Sequence, residues 1–241
     1  NEGRLKEALA AARAFTAVDS QHLDTGDAPL HPVYRVAYGP DPFVPRDWAA
    51  AGDDGTFGNR FDDPGGMTDL SERRSIVPTA SRFRMIYCAS TATGAYGETI
   101  ARFRPSLRLL AMAQQIDDDE PIDASLFAGV IPADWRHRRR LGMTTLDPQL
   151  RFVDLTAADS MTHLRKTLAQ VATQVGLDDI DLSVITSHHR RLTQEIARYI
   201  YEYNDGRGAC AGIRYLSRLN PEWECWAIFD TRMRQLEVHR D

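Results

Sequence analysis

The chain contains 241 residues, a length that fits one large domain or two small ones. Its hydrophobic fraction of 43% is enough for a sizeable core. Its net charge of −5 argues against direct nucleic-acid binding, which usually needs a basic surplus. No apolar run reaches the length of a membrane helix, and no signal peptide is visible. We therefore expect a cytoplasmic protein without a membrane partner.

The three cysteines show neither metal-ligand nor disulfide spacing, and each lies in an apolar segment that resembles a strand. We expect free thiols at Cys88, Cys210 and Cys225 and no metal site.

Arginine dominates the basic residues. Only two of the 29 are lysines, Lys6 and Lys166. A biased codon usage explains this preference, and so does a role for some arginines in clamping phosphates through the planar guanidinium. The two explanations are compatible, and both stay open.

The first half of the chain mixes apolar segments with a long irregular one. In chain order, the patterns predict a helix over 4–15, a strand over 32–38, an irregular stretch over 39–82, a strand over 83–89 and a helix over 92–104. Pro105 ends the last of these helices.

The second half predicts two long helices between short strands. The elements are a strand over 151–155, a helix over 158–175 closed by Gly176, a helix over 188–204 with Ser187 as N-cap, strands over 209–216 and 225–230, and a last strand near 236–239. The acidic run 117–120 and the basic run 136–140 predict solvated surface. The simplest interpretation is an α+β fold with an N-terminal helical segment over 1–28 and one domain over 29–241. Residues of about 106–204 would form a helical elaboration of that domain.

The common catalytic motifs are absent from the sequence. It has no GxGxxG or GxxxxGK[ST] phosphate loop, no GxSxG nucleophile elbow and no HExxH metal motif. His188 and His189 are adjacent, so on a helix their rings would point about 100° apart and would not easily share a metal.

Four segments are informative as a set. They are VYR at 33–35, FGNRF at 57–61, IYCASTATGAYGET at 86–99, and GIRYLSRL at 212–219 followed by WAIFD at 226–230. In this order they resemble the RES domain, a family named for its Arg, Glu and Ser. The resemblance covers roughly residues 30–230. The sequence departs from the family at FGNRFDDPGG, which stands where GGRWNPPG is usual, so that Phe61 and Asp62 replace Trp and Asn.

The resemblance assigns a site. It aligns Arg35 with the first arginine, Arg60 with the turn arginine, Tyr87 with the strand tyrosine, Glu98 with the helix glutamate and Ser217 with the late serine. It implies a mixed sheet like that of ADP-ribosyltransferases and an enzyme that cleaves the nicotinamide–ribose bond of NAD. NAD would be the substrate, inorganic phosphate a candidate co-substrate, and no bound cofactor would be needed. It also implies a toxin paired with an Xre-type antitoxin, and a homo-oligomer fits this interpretation.

The chemistry of that bond suits these residue types. Nicotinamide leaves as a neutral molecule, so the developing charge falls on the ribose, where the carboxylate of Glu98 would stabilise it. Arg35 and Arg60 would meet the pyrophosphate or an attacking phosphate. Tyr87 would stack on a base, and Ser217 would bind a ribose hydroxyl or phosphate oxygen.

The residues by themselves also allow ordinary structural roles. On a helix, Tyr96, Ile100 and Phe103 would share the apolar face, which leaves Glu98 on the solvated side. Arg35 could be an outward charge on a strand and Tyr87 a core residue. Strand alternation places Ser217 and Arg218 on opposite faces, so Arg218 is expected to lie outside the site. A protein ADP-ribosyltransferase and a non-catalytic binding module remain the alternative functions.

Overall fold

The structure is a computed structural model that describes residues 22–65, 79–114 and 129–235. All structural statements refer to these residues. The helix predicted over 4–15 and the strand predicted near 236–239 lie outside them.

One mixed sheet of seven strands organises the described part of the chain. Its order is β1-β5-β6-β7-β3-β2-β4, with β5 and β6 parallel and the other neighbours antiparallel. The strands are β1 (Thr25–Asp27), β2 (Val33–Tyr38), β3 (Met85–Ala89), β4 (Arg139–Thr144), β5 (Arg151–Asp154), β6 (Gly212–Leu216) and β7 (Glu224–Phe229). The α+β class with a mixed sheet is therefore confirmed.

The sheet is divided between β2 and β3. These two strands share a single register pair, Tyr34 with Ala89, whereas β2 shares six with β4 and β3 shares five with β7. Because β2 runs on to Tyr38 beside β4 alone, the two halves of the sheet separate beyond Tyr34. A gap between β2 and β3 is the result.

Seven helices accompany the sheet within the described ranges. They are α1 (Ala92–Ile100), α2 (Leu107–Gln114), α3 (Ala133–Arg138), α4 (Ala158–Thr167), α5 (Ala169–Gln174), α6 (Leu182–Thr186) and α7 (Arg190–Glu202). Short 3-10 turns cover Trp48–Ala50, Thr79–Ser81, Ala101–Phe103 and Asp230–Gln235.

Several predicted helix boundaries are wrong in detail. The helix predicted over 158–175 breaks at Leu168 into α4 and α5, and Gly176 follows with a φ of 76°, as a helix-terminating glycine does. Ser187 is not the N-cap of α7, because its hydroxyl donates to Val184 O (2.6 Å) and so closes α6. His189 precedes α7 and provides no side-chain cap.

The segment 106–204 contributes to the sheet as well as to the helices, because it contains β4 and β5. The basic run 136–140 is exposed, as predicted, except for the half-buried Arg139, and it ends α3 and begins the edge strand β4. The guanidinium of Arg139 lies 3.8 Å from the ring centroid of Tyr38, its register partner on β2.

The core lies on both faces of the sheet. On one face, α7 buries Leu192, Ile196 and Ile200 completely in the same cluster as Ile213 of β6. On the other face, the rings of Phe152 and Trp226 meet edge to face at 5.0 Å. Removal of these side chains from water supplies the main driving force for folding.

Candidate functional site

A cleft of about 1290 Å³ opens where β2 and β3 separate. Its lining combines β2, β3, the loop after β2, α1, and residues from the start of α7 and the end of β6. It contains three carboxylates, Asp41, Asp47 and Glu98, and nine arginines, Arg35, Arg46, Arg60, Arg84, Arg102, Arg104, Arg139, Arg190 and Arg218. The cleft is strongly basic although the whole chain is acidic, so it favours an anionic ligand.

The five predicted site residues meet here. Arg35, Arg60, Tyr87 and Glu98 line the cleft. Ser217 is buried just behind it and donates its hydroxyl hydrogen to Oε1 of Glu98. Residues from distant parts of the sequence are thereby placed around one space.

Helix α1 presents Glu98 to the open cleft, where the side chain stays exposed to solvent. The buried positions of the helix are Gly94 and Ala95, and Glu98 lies one turn from them on the same face. The predicted apolar face was wrong, because Tyr96 is 43% exposed. The face against the sheet is built from small residues, which hydrophobic periodicity does not detect.

Trp223 explains why α1 has a glycine at position 97. A Cβ there would lie 2.1 Å from Cζ3 of Trp223, whereas one at position 94 would lie 3.4 Å from Cγ of the same ring, an ordinary van der Waals distance. The indole therefore rests directly on the helix backbone. Because Trp223 O also accepts the main-chain N–H of Ser217 (2.9 Å), a single side chain and its peptide fix α1 relative to the serine.

Ser217 lies in the turn after β6 and not within the strand. Its Oγ accepts the N–H of Leu219 (3.0 Å) while its hydrogen goes to Glu98, so the hydroxyl is oriented from both sides. Since β6 ends at Leu216, strand alternation does not apply to the next two residues. The expectation that Arg218 lies outside the site was wrong for this reason: Arg218 is exposed and lines the cleft.

The turn 57–62 is held by Asp62 and Tyr87. The carboxylate of Asp62 accepts the N–H groups of Asn59 (2.7 Å) and Phe57 (3.0 Å), and the Tyr87 hydroxyl accepts the N–H of Phe61 (3.0 Å). Burial raises the pKa of Asp62, although these hydrogen bonds oppose the shift. The ring of Tyr87 faces the cleft while its hydroxyl orients the turn that carries Arg60.

Helix α7 holds the same turn from the other side. The hydroxyl of Thr193 donates to the carbonyl of Arg60 (2.6 Å), and the amide of Gln194 donates to the carbonyl of Asn59 (3.3 Å). Both side chains are buried. The position of Arg60 is therefore set by a helix residue that is 133 positions away in the sequence.

A buried ion-pair network closes the loop behind this turn. The carboxylate of Asp63, 2% exposed, accepts from Arg82 Nε (3.1 Å) and Arg198 Nη1 (3.1 Å). It also accepts the N–H of Gly65 (2.9 Å). A buried charge requires partners of this kind. These ion pairs and hydrogen bonds hold the loop in place of a helix or strand.

Arg35 is a half-buried cation in the wall of the cleft. Burial lowers the pKa of Arg35, and the neighbouring Arg139 acts in the same direction. Its Nη1 is buried and has no hydrogen-bond partner, and the same is true of Nε of Arg139. A guanidinium with a buried, unused donor is costly by itself and is stabilised when an anion enters.

Sequence reasoning missed Arg190 and Arg218, which join Arg60 at one end of the cleft. Burial lowers the pKa of Arg190, and the positive charges of Arg60 and Arg218 contribute to that shift. The Arg60 guanidinium lies 5.7 Å from the ring centroid of Tyr215 and donates to Thr186 O (3.2 Å). The run HHRR at 188–191 was the available signal, since it opens a helix with positive charge.

Within 22–65, 79–114 and 129–235, no group of three or more His, Cys, Asp or Glu residues could hold a metal ion. The three cysteines are free and buried. Burial raises the pKa of Cys88 and of Cys225 to about 12, so neither thiol serves as a nucleophile near neutral pH. In the described residues, no helix is long and apolar enough to cross a membrane.

A family model described as the RES domain matches residues 32–241. The chain belongs to the RES-domain family. The match covers all the candidate site residues, including Glu98 and Ser217. No curated protein matches the chain. Among solved structures, the chain is similar to one described as the crystal structure of the M. tuberculosis MbcT-MbcA toxin-antitoxin complex, with 14% identity and a TM-score of 0.41 over 90% of this chain and 85% of that one.

Proposed function

We propose that this RES-domain protein cleaves the bond between nicotinamide and ribose in NAD. The observation that carries the proposal is the position of Glu98, a carboxylate held by Ser217 in a cleft where nine arginines outnumber three carboxylates. A negative group in a basic cleft suits a substrate that is anionic over most of its length and becomes cationic at one carbon.

The reaction needs stabilisation of charge more than proton transfer. In NAD the pyridinium ring carries the positive charge, and when the glycosidic bond breaks the bonding electrons neutralise it. The ribose carbon becomes oxocarbenium-like, as in other glycosyl transfers. The carboxylate of Glu98 lies free on one side and is anchored by Ser217 on the other, so it can stabilise that charge without moving.

The arginines account for binding. Nicotinamide adenine dinucleotide has a pyrophosphate with two negative charges, which planar guanidinium groups bind well. Arg35 has an unused buried donor, and Arg60 is fixed by α7 and by its contact with Tyr215. Tyr87 presents a flat ring in the same space, which suits stacking on a nicotinamide or adenine base.

The acceptor completes the reaction. Attack by inorganic phosphate would give ADP-ribose 1″-phosphate, and attack by water would give ADP-ribose and one proton. We propose phosphorolysis or hydrolysis without choosing between them, because both share the first bond-breaking step.

We further propose that the protein acts as a toxin held inactive by a protein antitoxin of the Xre type. This part of the proposal rests on membership of the RES-domain family, for which the sequence resemblance implies such a pairing. The experiment for this part is co-expression: a partner that blocks the cleft should restore growth to cells that this chain arrests.

The activity itself is tested with purified protein and NAD, with and without phosphate, and with products identified by mass. Release of nicotinamide together with ADP-ribose or its 1″-phosphate supports the proposal. Intact NAD after incubation with folded protein in the presence of phosphate would contradict it and favour a binding module. Nicotinamide release accompanied by a mass increase of a protein would indicate an ADP-ribosyltransferase.

A further inference from the structure

Three arginines converge at the end of the cleft beside the Glu98–Ser217 pair. We call Arg60, Arg190 and Arg218 the arginine triad. All three line the cleft, and the pKa of Arg190 is lowered in part by the charges of the other two. Like charges repel each other, so the convergence of three guanidinium groups requires compensation from elsewhere.

Protein groups compensate only in part: the carboxylate of Asp62 acts favourably on Arg190 but forms no ion pair with it. In the described part of the chain, no carboxylate lies within ion-pairing distance of any triad member. Arg60 donates to a main-chain carbonyl, Arg218 donates to the ring of His188 (Nη1 to Nε2, 2.9 Å), and Nη1 of Arg190 is buried without a partner. The neighbouring arginine on α7, Arg191, contrasts with them because it pairs with Glu195 (2.8 Å).

The start of α7 adds to the positive potential. Arg190 is the first residue of this 13-residue helix, and no side chain caps it. The main-chain N–H of Arg190 donates to His188 O (2.7 Å), and the first turn of a helix carries a partial positive charge. The helix end alone would not define a site. Together with three guanidinium groups and a buried unused donor, it makes this end of the cleft strongly positive.

We infer that the arginine triad is a binding subsite for a phosphoryl oxyanion. The inference deepens the proposed function, on which it rests only for the identity of the ligand. Two sources of the oxyanion fit the same donors: free orthophosphate and the diphosphate of a dinucleotide. Carboxylates of a peptide fit less well, because one carboxylate cannot occupy three converging guanidinium groups and a helix end.

The subsite is distinct from the surroundings of Arg35. Arg35 lies on β2 and adjoins Arg139 of β4, whereas the triad is contributed by the turn 57–62, by α7 and by the turn after β6. The two groups of arginines therefore stand on separate elements around one cleft. A substrate with two phosphates and a co-substrate with one would need such separate places.

The test measures binding rather than turnover. Titration calorimetry is carried out with orthophosphate and, in a second arm, with ADP-ribose, which has a diphosphate but no nicotinamide bond to cleave. The variants are Arg190→Gln and Arg218→Gln. The matched control is Arg165→Gln, which removes one positive charge from an exposed pair with Asp179 outside the cleft.

We expect Arg190→Gln and Arg218→Gln each to weaken binding about 10- to 100-fold, the range for loss of one charge-assisted hydrogen bond. Weakening in the orthophosphate arm identifies the free ion as the ligand, and weakening in the ADP-ribose arm identifies the diphosphate. Either result supports the subsite. Wild-type affinity in both arms for both variants would overturn it, and so would an equal loss in Arg165→Gln.

Thermal denaturation shows whether each variant is folded. Arg218 is exposed, so Arg218→Gln keeps the test decisive even if Arg190→Gln loses stability. Nicotinamide release is measured in parallel. A triad variant that loses anion binding while wild-type protein leaves NAD intact would retain the subsite and reject the proposed function. If the wild-type protein cleaves NAD and the triad variants bind both anions with wild-type affinity, only the subsite is rejected.

Discussion

Replacement of Glu98 by glutamine separates the charge of this side chain from its shape. The amide oxygen of the introduced side chain can still accept the hydrogen of Ser217, and the length of the side chain on α1 is unchanged. Only the negative charge is removed. Because Glu98 is exposed and forms no ion pair with the described residues, we expect the free energy of unfolding to change by no more than about 0.5 kcal/mol.

The effect on turnover should be much larger. Ground-state NAD has its positive charge on the nicotinamide, whereas the transition state has it on the ribose, so the carboxylate contributes mainly to the transition state. Loss of one preorganised electrostatic group costs about 10²- to 10³-fold in kcat, or roughly 3–4 kcal/mol. Affinity for NAD should stay within about threefold of wild type, because the contacts that NAD makes equally in the ground state and the transition state are little affected.

The assay combines single-turnover nicotinamide release with calorimetric NAD binding and thermal denaturation. Thr99→Ser is a suitable control, because Thr99 lines the cleft next to Glu98 and carries no charge. Turnover of Glu98→Gln near the wild-type rate would refute the reasoning. It would show that Glu98 is a surface residue whose contact with Ser217 is structural.

Three further predictions follow from contacts described above. Arg35→Ala should weaken NAD binding at least as much as it slows turnover, because a phosphate contact acts in both states; equal affinity with slower turnover would contradict this role. Asp63→Ala should lower the free energy of unfolding by about 3–5 kcal/mol, since it leaves the buried Arg82 without its carboxylate. Calorimetry should then show a melting temperature roughly 6–20 °C lower. Asp134→Ala, which breaks an exposed pair, should change it little, and equal shifts would contradict the burial argument. Titration with a thiol reagent should detect three thiols after denaturation without reductant and almost none in the folded protein, because all three cysteines are buried; recovery of one would indicate a disulfide.

The fold was predictable where apolar alternation is strong. Strands β2, β3, β5 and β7 lie within one or two residues of their predicted positions, because their buried residues are mostly Val, Ile, Phe and Cys. Strand β4 was not predicted, because its sequence RRLGMT is mostly polar or exposed. It lies at the edge of the sheet, where pairing with β2 satisfies its main-chain hydrogen bonds without burying an apolar face. Hydrophobic patterns do not report such strands.

The site was predictable only as a set of residues. The family resemblance named Arg35, Arg60, Tyr87, Glu98 and Ser217, and the structure brings them around one cleft. The contacts that orient them are long-range and leave no local pattern. Arg218 was misplaced because strand alternation was extended past Leu216, where both the predicted strand and β6 end.

The hold of α7 on the turn 57–62 affects how this helix tolerates mutation. One set of its buried positions, Ile196 and Ile200, only needs apolar volume, so exchanges among Ile, Leu and Val should be mild. Thr193 and Gln194 are buried for a different reason, because their side chains hold the carbonyls of Asn59 and Arg60. Thr193→Val would preserve the shape of the core and yet release the loop. Such substitutions would lower the free energy of unfolding by about 1–3 kcal/mol and also alter the cleft, so a screen for stability alone would miss their effect on the site.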